Sequence, residues 1–119
     1  MRKIKFRAWN IQEEFMHEVV SVGCDKKDKW NTLVYMKNGF IDSIEEPHIL
    51  MQYACLNDEN GTEIYEGDIV RHAWDEGIYE VVFEEGSFRV MAIGGVYDCQ
   101  LLVEYPLEVI GNIYENPEL

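Results

Sequence analysis

Apolar and polar residues alternate along much of this chain, and the alternation is the first guide to its elements. In residues 3–10, Ile4, Phe6 and Ala8 fall on one face of an extended segment. Lys3, Lys5, Arg7 and Trp9 fall on the other, the period of two of a half-buried strand. Residues 11–22 admit two readings. Ile11, Phe15 and Val19 would stack at i, i+4 spacing on a helix, whereas Phe15-Met16-His17-Glu18-Val19-Val20 suits a strand. The β-branched content and the missing cap tilt the reading to a strand. Residues 24–31 form a charged loop with Trp30 at its exit.

Leu33-Val34-Tyr35-Met36-Lys37 and Phe40-Ile41-Asp42-Ser43-Ile44 flank Asn38-Gly39. Asn-Gly suits both central positions of a type I′ turn, so a hairpin is expected over 33–44. Glu45-Glu46-Pro47-His48 interrupts it, and residues 49–56 resume as an apolar strand. Further on, strands are expected over 69–74, 78–84 and 87–93, separated by Asp75-Glu76-Gly77 and Glu85-Gly86, with Gly94-Gly95 ending the third. Residues 96–105 read as a short helical turn or an irregular edge, and Pro106 ends them. A last strand spans 108–114 around Gly111.

Strands of about six residues joined by short turns predict a mainly β protein. Three meandering strands, a less regular link and a final short strand resemble an SH3-like antiparallel barrel. The expected organisation is an N-terminal β lobe over 1–56 and an acidic SH3-like barrel over 57–119. The lobe's strand and hairpin pack on the barrel to make one compact unit.

Composition sharpens this picture. With 119 residues, 47% hydrophobic and 13% aromatic, the chain can bury a core. It has no apolar run of the roughly 18 residues that cross a bilayer and no leader-like apolar stretch, so a cytoplasmic protein is expected. Cys24, Cys55 and Cys99 are odd in number and widely spaced, which suits free thiols in a reducing compartment. The net charge of −13 is uneven. Residues 1–56 hold eight Lys/Arg and eight Asp/Glu, and residues 57–119 hold two against fifteen. Phosphate-backbone binding wants the opposite sign, so direct nucleic-acid binding is disfavoured and a basic partner is favoured.

Candidate chemistry is sparse. Asp58-Glu59-Asn60-Gly61 hints at a calcium loop. Aligning Gly61 with the loop's glycine puts Leu56 and Gly67 where acidic ligands belong, so it reads as a polar turn. His17, His48 and His72 lack ligand spacing, and the hydroxyl residues form no triad pattern. Glu80 and Glu84 lie roughly 13 Å apart along a strand, too far for a glycosidase pair. No catalytic, metal-binding or cofactor-binding residue is therefore expected. The aromatics suit a core or a protein interface, because base-stacking grooves are basic.

Three segments carry a resemblance. They are Lys5-Phe6-Arg7-Ala8-Trp9, then Met51-Gln52-Tyr53 with Asn60-Gly61-x-Glu63-Ile64-Tyr65-Glu66-Gly67-Asp68-Ile69-Val70, and finally the run from Glu108 to Pro117, EVIGNIYENP. Together they resemble the YopX-like family of phage and prophage proteins. The resemblance implies a phage or prophage origin, a bacterial cytoplasm and no established activity. Asn60, Gly61, Ile64, Tyr65, Gly67 and Asp68 read as a fold-defining set, in which turn residues punctuate apolar anchors. Lys3, Lys5, Arg7 and Trp9 are the candidate interaction surface, a basic strip able to meet the acidic half of a neighbouring chain. The expected function is a non-enzymatic protein-interaction or self-assembling module with a homo-oligomeric or other protein partner. An acidic decoy for a host DNA-binding protein is the alternative. A small hydrolase or nuclease is a third reading with no motif behind it.

Overall fold

The computed structural model describes residues 4–24, 30–73, 77–93, 99–101 and 106–119. Among them the chain is all β, with no helix, and forms two antiparallel sheets. The turn at 75–76, Gly94-Gly95, the loop at 25–29, Lys3 and most of 96–105 lie outside the described residues. The chain divides into two compact units, one of them Lys5–Met51 and the other built on Gln52–Leu119. The boundary falls inside a strand.

The first unit holds β1 (Phe6–Asn10), β2 (Phe15–Cys24), β3 (Trp30–Tyr35), β4 (Ile41–Ser43) and the start of β5 (His48–Asn57). Its strands run in the order β4-β3-β2-β1-β5. Ala8, Val34 and Ile44 form its core, with Val19, Met36 and Leu50 against them. The ambiguity over residues 11–22 resolves into a turn at 11–14 and a long strand from Phe15. The Asn10 carboxamide decides it by accepting the N–H groups of Gln12 and Glu13, each at 3.0 Å, which closes a tight loop. The strand β3 begins at Trp30, so the loop ends earlier than the charge pattern suggests.

The second unit holds the far half of β5, with β6 (Glu63–Tyr65), β7 (Asp68–His72), β8 (Ile78–Glu84), β9 (Ser87–Ala92), β10 (Cys99–Leu101) and β11 (Leu107–Asn112). Tyr53 of β5 pairs with Tyr65 of β6. The other strands form a sheet ordered β10-β9-β8-β7-β11. Ala54, Ile64, Val70, Val81, Val90 and Leu107 make this unit's core. The meander β7-β8-β9 follows the alternation closely, because Val70, Val81 and Val90 all point to the same buried side. The closed barrel expected from the layout is not what these strands make. Within the described residues neither sheet is closed, and β10 and β11 stand at opposite edges.

Candidate interaction surface

Ala8, Val19 and Val34 face the first unit's core. Their chain neighbours Arg7, Glu18, Leu33 and Tyr35 therefore lie on the other face of that sheet. Arg7 stands directly opposite Glu18, and Tyr35 directly opposite Ile41. On β2 the register slips between Val19 and Ser21, and the extra residue, Val20, is exposed beside Leu33. Phe40, at the exit of the β3–β4 loop, is 74% exposed, and Ile41 is 51% exposed. One face of a small sheet thus presents Leu33, Tyr35 and Ile41 to solvent, with Val20 exposed at the bulge and Phe40 exposed on the loop.

The predicted strip on β1 is less available. Lys5 and Arg7 are half-buried, and Trp9 is only 8% exposed. Exposed apolar side chains gather instead on β3, β4 and their connecting loop, while others such as Ile11 and Phe83 are exposed elsewhere. Asp42, which alternation points away from Ile41, lines an open cleft of about 580 Å³ with Glu45, Glu46, Met36 and Pro47. Asp42 also turns its carboxylate to the N–H of Ser43, 2.8 Å away. On the loop, the Lys37 ammonium lies 3.8 Å from Glu13 and 5.0 Å from the centre of the Phe15 ring. Beneath this face His17 is buried, and its Nδ1–H donates to the Tyr35 carbonyl at 2.9 Å. Its Nε2 is buried without a hydrogen-bond partner. The Phe15 ring packs edge-on against the imidazole.

The signature residues sit in the second unit, just after Asp58 of the polar turn. Asp58 accepts from the N–H groups of Asn60 (2.9 Å) and Thr62 (2.8 Å) through one oxygen, and from Val109 (2.9 Å) through the other. Burial pushes this carboxyl up, but those three donors outweigh it and hold it below the ordinary Asp value. Asp58 thereby ties the turn before β6 to β11. Asp68 is buried, and its carboxylate takes the Tyr65 N–H at 2.8 Å. Gly67 lies between them with φ of +83°, a conformation that penalises any Cβ. Its N–H meets the Val81 carbonyl, and its own carbonyl accepts from Ile113. Ile64 fills the core, while Asn60 and Gly61 form an exposed turn. Glu66 clasps Gln52 twice, once by its N–H and once by its carboxylate.

Other titratable groups do not converge. Among the described residues no three His, Cys, Asp or Glu side chains gather to hold a metal. His48 is held by the Glu46 carbonyl and the Thr32 hydroxyl. Burial raises the Glu80 carboxyl above its ordinary value, and the charge of Glu84 adds to the rise. Among the described residues no helix is long and apolar enough to cross a membrane.

A family model described as YopX protein matches residues 5–119. The chain belongs to the YopX family. Protein EF1440 from Enterococcus faecalis is similar to it, with 29% sequence identity and a TM-score of 0.68, over 99% of this chain and 98% of that one. Protein yopX from Bacillus subtilis is similar too, with 27% identity and a TM-score of 0.66, over 100% of this chain and 98% of that one. No curated protein matches.

In this YopX-family chain the resemblance rested on the signature and the two ends, and none of those segments contains the exposed apolar side chains. Sequence reasoning missed Leu33, Tyr35, Phe40 and Ile41 as surface residues. A signal was present. Leu33-Val34-Tyr35 and Phe40-Ile41 are apolar on both faces of a hairpin, whereas an antiparallel strand with one wet face normally alternates.

Proposed function

We propose that this protein is a non-enzymatic β module that works through protein contacts, encoded by a phage or prophage and acting in a bacterial cytoplasm. One observation carries the proposal: Leu33, Tyr35 and Ile41 stand exposed on one face of the β3–β4 hairpin, and Phe40 is exposed on its loop. Contiguous apolar surface on a small soluble protein marks a site of contact, and Tyr and Phe are enriched at interface centres. The signature supports the same reading from the other side, since the Asp68 carboxylate is spent on the Tyr65 N–H. We read the β7–β11 sheet as an opened SH3-like meander, with β11 returning beside β7. It serves as scaffold.

Two kinds of partner fit. One is a second copy of the chain. The other is a basic host protein drawn by the −13 charge, the acidic-decoy reading. Sedimentation at low and high salt, for the protein alone and with I41S and F40S variants, tests the module. Association that the variants abolish supports it. A strict monomer at micromolar concentration, together with no variant-sensitive capture of any purified host protein, would sink it.

A further inference from the structure

We infer that the turn at Asp58 and Glu59 is a clasp that seals the outer edge of β11, and that without it this edge pairs with the same edge of a second copy of the chain. The clasp lies within the second unit and owes nothing to the apolar residues of β3 and β4. Of the strands in its sheet, β11 pairs with β7 alone. Ala73 N–H reaches the Pro106 carbonyl and Ile113 N–H reaches the Gly67 carbonyl, so Pro106 and Ile113 turn their backbone groups toward β7. Alternation from either end, across the bulge between Val109 and Gly111, turns the backbone groups of Leu107, Val109 and Asn112 away from it. An open row of this kind is a template for another strand. Here turns fill it. The Leu107 carbonyl accepts from Glu59 N–H at 3.0 Å, and Val109 N–H donates to one oxygen of Asp58 at 2.9 Å. Asn112 N–H donates to Oδ1 of Asn116 at 3.2 Å, and its carbonyl accepts from Asn116 N–H at 2.9 Å. Two backbone amides and two side chains thus take the place of a neighbouring strand.

A second copy is the occupant that the bared edge fits. A two-fold axis beside Val109 sets the two Val109 residues opposite each other. Each then gives its N–H to the other's carbonyl, the hydrogen-bonded pair of an antiparallel ladder. Glu108, the sole charge on β11, is already paired with Arg71 of β7, so two such strands meet without an unpaired like charge on either. Asp58 is well placed to prevent this. It is buried, and its other oxygen is anchored by the N–H groups of Asn60 and Thr62.

The substitution D58N isolates the clasp. One oxygen still accepts from Asn60 and Thr62, but the amide nitrogen faces the Val109 N–H, donor against donor. Sedimentation of the full-length protein in about 1 M sodium chloride, which screens the acid excess beyond about 3 Å, compares the parent with D58N, D58N/V109P and G61A. D58N is expected to self-associate at least about tenfold more tightly than the parent. V109P removes the outward donor, and proline is tolerated on an edge strand, so D58N/V109P should return to the parent's behaviour. G61A strains the same turn, where φ is +84°, and no part of β11 lies within reach of the added methyl, so it should also match the parent. Equal association of D58N and the parent overturns the inference. So does association of D58N/V109P or G61A as tight as that of D58N, because the contact then lies elsewhere or follows from general loosening. Should D58N fail to fold, N116A bares the Asn112 N–H on the same edge and carries the same expectation, and its equal association with the parent overturns the inference.

Discussion

A few side chains in this protein do the work of many contacts, and Asp58 is the clearest. Its carboxylate satisfies three backbone donors from two separated stretches. D58A should cost roughly 3 kcal/mol, read as a lower midpoint in urea, because hydrogen bonds to a charged group are worth about 1.5–3 kcal/mol net. The pH response has a definite sign. The folded carboxyl lies below its unfolded value, so its contribution is present above the ordinary Asp range and is lost as pH falls through the lowered folded value. Acid titration of stability should therefore be flatter in D58A than in the parent. Gly111 makes a different demand. A Cβ there would lie 2.5 Å from Oδ1 of Asn116, the atom that accepts the Asn112 N–H. G111A should destabilise by about 1–3 kcal/mol, visible in thermal melting, with the 112–116 turn losing hydrogen-exchange protection first.

At the scale of elements, the turns explain which expectations held and which did not. Asn38-Gly39 announces a hairpin, and β3 and β4 do pair across it. The turn is of another type. Gly39 has φ of +91° but Asn38 is not left-handed, and the loop is closed by Met36 N–H to the Phe40 carbonyl and Gly39 N–H to the Met36 carbonyl. Asn60-Gly61 repeats the design, with Asp58 N–H to the Thr62 carbonyl and Gly61 N–H to the Asp58 carbonyl. Both are three-residue loops ending in a left-handed glycine, a form compatible with the same dipeptide. The positive φ at both central positions occurs instead at Glu85-Gly86, with φ of 52° and 78°. Glu is a poor left-handed residue, so E85N should raise stability by up to about 1 kcal/mol in chemical denaturation. The weak ion pair of Glu85 with Arg89, largely in solvent, subtracts little from that gain. Strands β8 and β9 were legible because apolar residues recur at every second position about Val81 and Val90. The three-residue β6 and the bulge at Val20 were not, since a short strand has no period to read and a bulge breaks the one it sits in.

For the molecule as a whole, fifteen acids against two bases in residues 57–119 imply self-repulsion in the folded state. Added salt shortens the screening length from about 30 Å at 0.01 M to about 3 Å at 1 M. The thermal midpoint should accordingly rise with sodium chloride at neutral pH. A midpoint that falls would mean that attractive pairs such as Arg71 with Glu108 outweigh the repulsion. The amino-acid order alone determined the β class, most strand positions, the acid excess and the family, because period, turn residues and composition are local properties of the chain. Only the tertiary structure decided that the second sheet stays open among the described residues, that Trp9 is buried, and that Tyr35, Phe40 and Ile41 face water. Those outcomes depend on which strands become neighbours and which faces they cover, and pairing between distant segments is written in no single stretch of sequence.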